Sequence, residues 1–128
     1  MLEPDGRMGH WVSLDAAMPD TSQLRAADVL DFTFTTASTW PEPEVPDDLG
    51  SALKAASDLS QTWEPITPMA RWEWVRWVGS TKNPDTRARR VEVSIDKLRD
   101  GSRRPCCFNL APCTDPEVAK SGKLIEEQ

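Results

Sequence analysis

Two helix starts marked by proline follow each other closely in this chain, and they constrain its fold more than any other feature. Thr67 precedes Pro68, and Asn83 precedes Pro84. A threonine or asparagine N-cap with proline at the first helical position is a typical helix start. The stretch from Thr67 to Arg104 is therefore predicted to hold two helices joined at a sharp corner.

Apolar residues recur at helical spacing after each start and predict which faces are buried. The first helix should expose the opposite face, which carries Glu73, Arg76 and Ser80. Gly101 fits the residue just past the end of the second helix. The core positions predicted for the two helices are Ala70, Trp74, Trp77, Val78, Thr81, Ala88, Val91, Ile95 and Leu98.

Another helix is predicted upstream, at about residues 47–56, and a short helical turn at 58–64. Pro46 is followed by two acids, and a helix start favours both proline and negative charge. Before it, the run WPEPEVP at residues 40–46 favours an extended, polyproline-like linker. The apolar positions of the helix repeat at spacings of three and four and are Leu49, Ala52, Leu53 and Ala56.

The front of the chain alternates like β-structure. His10 to Leu14 is a short strand candidate, and Val29 to Thr36 is a clearer one with Leu30, Phe32 and Phe34 on one face. The predicted fold class is α+β, with a short antiparallel β unit, or half-barrel, followed by a small helical bundle. The predicted domains are a β unit at 1–39, the linker at 40–46, a helical domain at 47–104 and a flexible tail at 105–128.

Charge and hydropathy narrow the function classes. The net charge is -6, with twelve acidic and three basic residues in 1–66 but ten basic and five acidic residues in 67–104. An acidic chain argues against nonspecific binding of nucleic acid. Neither a signal-peptide pattern nor an apolar run of about 18 residues is present. We therefore expect a soluble, cytoplasmic protein without membrane insertion.

The sequence predicts neither catalysis nor a metal site. Cys106, Cys107 and Cys113 lack the two-residue gap of a zinc site, and His10 is the single histidine. Reduced thiols are expected, with a redox-sensing or soft-metal role as the alternative. Because no nucleophile–base pattern and no phosphate-binding glycine loop occurs, we predict a non-enzyme without catalytic residues or cofactors.

A specific pattern of residues runs through the second half of the chain. Its positions are Val45, Pro46, Asp48, Leu49, Glu73, Trp77, Lys82, Pro84, Thr86, Arg87, Arg89 and Arg90. With this pattern, the region from Val45 to about Phe108 resembles the YdeI/OmpD-associated family, also called bacteriocin-protection proteins. Trp74 stands where the family usually has tyrosine, and Trp72 stands where a basic residue is common. The resemblance implies a link to resistance against cationic antimicrobial peptides or bacteriocins.

The front half is similar to the second part of a small β-barrel often fused upstream in this family, of the AbrB type. Ala27 replaces the usual glycine before Asp28. The resemblance implies that only half of a barrel is present, with an open edge and an exposed apolar face. A homodimer through Val29–Thr36 would complete it, or the half folds against the helices.

The candidate binding site is the corner between the two central helices. Its residues are Lys82, Thr86, Arg87, Arg89 and Arg90, with Arg89, Arg90 and the more distant Lys97 predicted to point outward. The N-terminus of the second helix would offer free N–H groups to a phosphate or carboxylate. In the alternative interpretation Arg87 forms an ion pair with an acid on a neighbouring helix, and the other arginines are solvated.

Three functions are compatible with these features. The first is a non-enzymatic stress or bacteriocin-protection protein that binds a protein or peptide partner, since the acidic front half suits a cationic peptide. The second is a DNA-associated regulator that uses a dimeric AbrB-like barrel, although the overall charge and the interleaved acids disfavour nucleic acid. The third is a small-anion or metabolite-binding module at the Lys82–Arg90 corner.

Overall fold

A computed structural model describes residues 1–5, 8–15, 18–105, 115–120 and 123–125. Two short strands, β1 and β2, precede four helices, and a second short strand pair, β3 and β4, follows them. The α+β prediction is confirmed. The strand bounds are Leu2–Pro4, His10–Val12, Ala119–Lys120 and Lys123–Leu124, and the helices α1 to α4 span Asp47–Ala55, Ser60–Trp63, Pro68–Gly79 and Pro84–Arg99.

β1 and β2 form an antiparallel pair in which Leu2 lies opposite Val12. Asp5 closes the connection, because its Oδ1 accepts a hydrogen bond of 2.9 Å from the Gly9 N–H. A side chain at Gly9 would force the Asp5 carboxylate to move, since an added Cβ would lie 2.6 Å from Asp5 Oδ2. The predicted first strand is thus present, in a shorter form, but its partner is the N-terminal segment.

The predicted strand at Val29–Thr36 is wrong. These residues are described, yet they pair with no strand of the described chain. Val29 is 92% exposed and Phe34 is 64% exposed. Alternation specifies the two faces of one segment, whereas a strand also needs a neighbour for its backbone N–H and C=O groups. Here β2 pairs with β1, and the backbone of 29–36 is left to solvent.

The helix starts are confirmed by their caps. Thr67 Oγ1 accepts a 3.3 Å hydrogen bond from the Ala70 N–H, and Asn83 Oδ1 accepts a 3.0 Å bond from the Thr86 N–H. α4 ends before Gly101, whose φ of +84° is the left-handed conformation that glycine adopts without strain. The predicted short turn is a 3₁₀ turn at Ser57–Leu59 that continues into α2.

The helices bury two adjoining clusters of side chains, and the partly buried Ala52, Leu53 and Trp77 pack against both. The most shielded large side chains are Trp74, Leu49, Leu59, Leu98 and Val78. Three predictions are wrong. Ala88 is exposed, whereas Glu73 and Arg76, both predicted on the outer face, are largely covered. Glu73 is only 5% exposed and the Arg76 side chain only 10%. Glu73 is covered because the chain after α4 crosses α3 at this point, which brings Arg104 Nη1 within 3.5 Å of Glu73 Oε1.

Four successive residues of α3 hold both ends of the helical unit, and we call them the α3 clasp, residues 71–74. The chain before α1 is held by two of them and the chain after α4 by the other two. Because successive helical residues differ by about 100°, the two segments pass on opposite sides of α3. The contacts are Arg71–Glu42 at 2.7 Å, Trp72 Nε1–Pro41 O at 2.7 Å, Glu73–Arg104 at 3.5 Å and Trp74 Nε1–Arg103 O at 3.0 Å.

The predicted linker and tail both contain described structure. In the 40–46 segment Pro43 is buried and Val45 packs on the core, so this segment lies against the helices. Within the tail, β3 and β4 pair antiparallel, and the Leu124 N–H donates to the Asp5 carbonyl at 3.3 Å. Where the chain is described, no helix is both long and apolar enough to cross a membrane.

Candidate functional site

The five residues of the predicted corner do not converge on one point. Lys82 Nζ lies 2.8 Å from Glu117 Oε1, and both side chains are exposed. Arg87 turns to α1 and forms a two-bond ion pair with Asp48, at 2.6 and 3.0 Å. This pair is the arrangement that the alternative interpretation of Arg87 predicted.

Arg89 and Arg90 are neighbours in the chain with different surroundings. Arg89 is exposed and contacts Glu92 at 3.1 Å, one turn further along α4. Arg90 is half-buried and donates to the Trp77 carbonyl at 2.6 Å and to Ser80 Oγ at 2.5 Å. The outward prediction is therefore wrong for Arg90.

The ring of Trp77 explains where two of the predicted outward cations lie. The Arg90 guanidinium carbon is 5.5 Å from the ring centroid, and Lys97 Nζ is 5.6 Å from it. Lys97 also donates to the carbonyl of Pro105. Cation–π contact and carbonyl acceptors hold both side chains against α3, so the outward prediction is wrong for Lys97 as well.

A groove of about 390 Å³ lies at this corner. It contains Thr86, Arg89 and Arg90 from the predicted set, whereas Lys82 and Arg87 do not line it. Asn83 Oδ1 already accepts a hydrogen bond from the Thr86 N–H, so the N-terminus of α4 is capped by the Asn83 side chain. The residues that line the groove are Trp77, Asp85, Thr86, Arg89, Arg90 and Val93.

The Asp48–Arg87 pair shifts the pKa of both groups. Hydrogen bonds from Arg87 lower the pKa of the Asp48 carboxyl below its ordinary value, and the same bonds raise the pKa of Arg87. Partial burial opposes both shifts and does not reverse them. The pair joins α1 to α4, and we interpret it as structural.

We expect this pair to make stability depend on pH. A lowered carboxyl pKa stabilises the fold above the unfolded value of about 3.9 and loses that stabilisation as the pH falls through the folded value. The side chains are 32% and 40% exposed, so screening limits the pair to about 1 kcal/mol. The fall in Tm between pH 7 and pH 2.5, measured by thermal unfolding, should be smaller for Asp48→Asn than for the wild type.

Asp47→Asn is the matched control for this prediction. Asp47 lies in the same first turn of α1 and has no ion pair with any described residue. The control keeps the effect of the helix dipole on the pH dependence comparable, while the Arg87 partner is retained. If Asp48→Asn showed the same fall in Tm between the two pH values as the wild type, the ion pair with Arg87 would not be a source of the pH dependence.

A second surface lies within the acidic front half, which the sequence favoured for a cationic peptide without naming individual residues. Residues 28–48, which we call the acidic segment, hold six acidic residues and no lysine or arginine. All six are exposed. Two of them, Glu42 and Asp48, pair with Arg71 and Arg87, and the described chain offers no ion pair to the others. The signal that identifies this surface is the absence of basic residues over a long run.

Exposed apolar side chains lie within the acidic segment. The Phe32 and Phe34 rings stack with centroids 6.1 Å apart and planes at 20°. Val29 and Trp40 are exposed as well, the latter by 49%. Singly exposed apolar residues are ordinary, but here four are exposed within residues 29–40 and two of them stack on each other.

The expected turn before this surface is present. Ala27 has φ of +73°, the left-handed conformation that suits the glycine usual at this position in the family resemblance. The Asp28 N–H donates to the Arg25 carbonyl at 3.1 Å, and Asp28 Oδ2 accepts from the Arg25 N–H at 2.9 Å. A tight turn therefore fixes the start of the acidic segment, and the α3 clasp fixes it near Pro41.

The predictions about cysteine chemistry fall on residues 106, 107 and 113, which lie outside the described residues. The described part of the chain contains no group of three His, Cys, Asp or Glu side chains arranged to hold a metal ion.

Comparison with known proteins adds one result. Residues 42–101 match the model of a family described as bacteriocin-protection, YdeI or OmpD-associated. No curated protein and no solved structure matches the chain. The matched region begins at the residue that pairs with Arg71 and ends just past α4, so it coincides with the helical unit.

Proposed function

We propose, from the match of residues 42–101 to the model of the bacteriocin-protection, YdeI/OmpD-associated family, that this protein acts by binding a cationic, amphipathic peptide. The binding surface is the acidic segment, and no chemical step is involved. The observation that carries the proposal is the coincidence of unpaired acids and exposed aromatic side chains in one extended run of chain.

Charge supplies the first part of the recognition. Asp31, Glu44 and Asp47 are exposed and without an ion pair in the described chain. A surface of one sign raises the local concentration of an oppositely charged ligand and its association rate, and salt weakens this effect. A peptide rich in lysine or arginine is the ligand that gains from it.

Apolar contact supplies the second part. Phe32 and Phe34 already stack on each other, so a ligand that covers them need not order two independent rings. Aromatic residues commonly dominate binding energy when they are desolvated. An amphipathic peptide presents an apolar face to the rings and cations to the flanking carboxylates.

The backbone of the segment favours strand addition. Residues 29–36 alternate in side-chain character but pair with no described strand, so their N–H and C=O groups are free to bond with an extended peptide. The α3 clasp holds the end of the segment through Trp72 and Pro41. A fixed end lowers the entropy that ordering the segment costs on binding.

Binding to a synthetic amphipathic peptide of lysine and leucine tests the proposal. We expect micromolar affinity by calorimetry in 50 mM salt, about tenfold weaker affinity in 500 mM salt, and no binding to the same peptide with glutamate in place of lysine. Equal binding of the two peptides would contradict the role of charge.

Matched variants locate the surface. Phe32→Ser with Phe34→Ser should weaken binding at least tenfold, whereas Ile125→Ser, at an exposed apolar residue in the tail, should leave it unchanged. Asp28→Asn with Asp31→Asn should lower the affinity. Asp96→Asn with Asp100→Asn is the charge control, because it removes the same two charges from exposed positions outside the acidic segment, one in α4 and one just after it.

A second copy of the chain is the competing occupant of Val29–Thr36. Light scattering without peptide distinguishes the two cases. A monomer that binds the lysine peptide agrees with the proposal. A dimer that the Phe32→Ser and Phe34→Ser variant converts to monomer would assign the segment to a second copy and contradict the proposal.

The other two functions have less support. A DNA-associated regulator needs the barrel strand at Val29–Thr36, which is unpaired, so no observation favours it. An anion module at the corner would use the groove beside Trp77 with Arg89 and Arg90, but Arg90 is already bonded to the Trp77 carbonyl and to Ser80. The acidic segment is therefore the surface on which the proposed function rests.

A further inference from the structure

The chain between Phe32 and Phe34 has the geometry of a β-strand, although it belongs to no sheet of the described residues. The two rings stack with their centroids 6.1 Å apart and their planes at 20°. Residues i and i+2 of a strand point to the same side and lie about 6.6 Å apart along the chain, whereas in a helix they do not face each other. The stacked rings therefore indicate an extended backbone at this point.

The backbone of residues 29–36 is open to a partner. Among the residues that the structure describes, none forms a backbone hydrogen bond with this stretch. Leu30 is half-buried, and the other seven residues are exposed. An extended segment with unbonded N–H and C=O groups is a template for another strand, which bonds to it along one edge. The free protein therefore presents a strand edge that is already extended where the rings stack.

The two faces of this stretch differ in their chemistry. Because side chains alternate in a strand, Leu30, Phe32 and Phe34 share one face, and Asp31 lies on the other face with two threonines. A strand that pairs with this stretch places its residues directly opposite, so its own side chains divide between the same two faces. Apolar residues of the ligand then meet the rings, and a residue on the opposite face meets the Asp31 carboxylate.

Asp31 is the charge that selects among ligands of this shape. It is exposed, and no lysine or arginine of the described chain pairs with it. Opposite charges in directly opposed positions stabilise a strand pair, whereas like charges destabilise it. A second copy of the chain would bring its own six acids of the acidic segment to this surface. The charge of Asp31 therefore favours a cationic strand over a second copy.

We propose that the ligand is an extended cationic peptide that adds as a strand to residues 29–36, with an apolar residue at every second position and a lysine or arginine opposite Asp31. This inference rests on the proposed function and names the conformation and the sequence pattern of its ligand. A helical peptide has its apolar residues at spacings of three and four. It covers the rings, but its backbone groups bond within the helix and are not available to this stretch.

Two eight-residue peptides of the same composition test the pattern. Acetylated and amidated KLKLKLKL alternates as a strand does, whereas KLLKKLLK has the spacing of an amphipathic helix. Calorimetry of the full chain in 50 mM salt should show at least tenfold tighter binding of the alternating peptide. Charge, length and leucine content are equal in the two peptides, so the difference in affinity reports the period alone.

Methylation of backbone nitrogens tests the main-chain bonds. N-methyl groups at two leucines and two lysines of the alternating peptide block both of its edges and keep every side chain. We expect this peptide to lose measurable binding. In the ¹⁵N-labelled protein, the unmethylated alternating peptide should slow hydrogen exchange at every second amide of residues 29–36, because strand addition bonds only one edge.

Two charge reversals test the position of the cation. Asp31→Lys places a cation opposite the cation of the ligand and should weaken binding of the alternating peptide at least tenfold. Glu44→Lys makes the same change in net charge at an exposed position of the acidic segment beyond residues 29–36. It should weaken binding less than threefold, because only the long-range field changes.

The results that overturn this inference differ from those that overturn the proposed function. Equal or tighter binding of KLLKKLLK, intact binding of the N-methylated peptide, or equal effects of the two charge reversals would reject strand addition and still leave a cationic ligand at the acidic segment. Protection of alternate amides before any peptide is added would assign the edge to a second copy. Binding of neither peptide would reject the proposed function together with this inference.

Discussion

Replacing Trp74 by alanine should cost about 3–5 kcal/mol of the free energy of unfolding, the largest effect we expect from one substitution. Trp74 has no solvent-exposed surface, packs edge-to-face on Trp77 with centroids 6.3 Å apart, and donates its indole N–H to the Arg103 carbonyl. The change leaves a large cavity and an unpaired carbonyl. Because a small domain has only about 5–15 kcal/mol in total, the unfolding transition in urea should broaden or disappear.

Trp72→Ala is the matched control, since it makes the same change two residues earlier in α3. Trp72 is half-buried and contacts Pro41 and Arg76 at the surface. We expect a cost of about 1–2 kcal/mol and a transition that stays cooperative. A Trp74→Ala protein as stable as Trp72→Ala would contradict the assignment of Trp74 to the core.

Arg90→Ala should destabilise the protein by about 1–3 kcal/mol, whereas Arg89→Ala should stay within about 0.5 kcal/mol of the wild type. The Arg90 guanidinium bonds the Trp77 carbonyl and Ser80 at the end of α3 and lies over the Trp77 ring. Arg89 has only an exposed contact with Glu92. Urea unfolding of the two variants, which remove the same charge from adjacent positions, measures the difference.

Arg90→Lys sharpens this comparison. A lysine carries a compact ammonium on a flexible stem and cannot present the planar fork that bonds two acceptors while lying on a ring. It should recover less than half of the stability that alanine loses. Equal stability of Arg89→Ala and Arg90→Ala would show that the bonds of Arg90 contribute nothing measurable.

The helix starts could be predicted because their causes are local. Thr67 and Asn83 each cap an N–H three residues ahead, and the following prolines fix the first helical position. Nothing distant in the chain is needed to satisfy these bonds. The family resemblance is also carried by this part of the chain, and the family match covers it.

The errors fall where burial depends on a distant segment. Glu73 is on the polar side of a helical wheel, but Arg104 comes from beyond α4 and covers it. Ala88 has an apolar side chain at a core spacing, yet no segment covers it. Val29–Thr36 alternates well and lacks a pairing partner in the described chain. Periodicity reports which residues share a face and contains no information on what faces them.

The candidate sites show the same division. Sequence reasoning grouped Lys82, Arg87 and Arg90 because they are close in the chain, but each is bonded in a different direction. A cavity of about 290 Å³ joins residues 3, 11, 76 and 79, which no local pattern connects. The acidic segment could be predicted in part. Its composition can be read from the sequence, whereas the exposure of its side chains depends on the fold.

The α3 clasp has a mechanical consequence. The two segments that leave the helical unit, before Glu42 and after Arg104, are fastened to a single turn of α3. A pulling force applied between Pro41 and Arg104 acts on those four contacts across one helical turn. The packing of α1 against α4 lies beyond this turn, so the clasp shields it from a force applied at these two points.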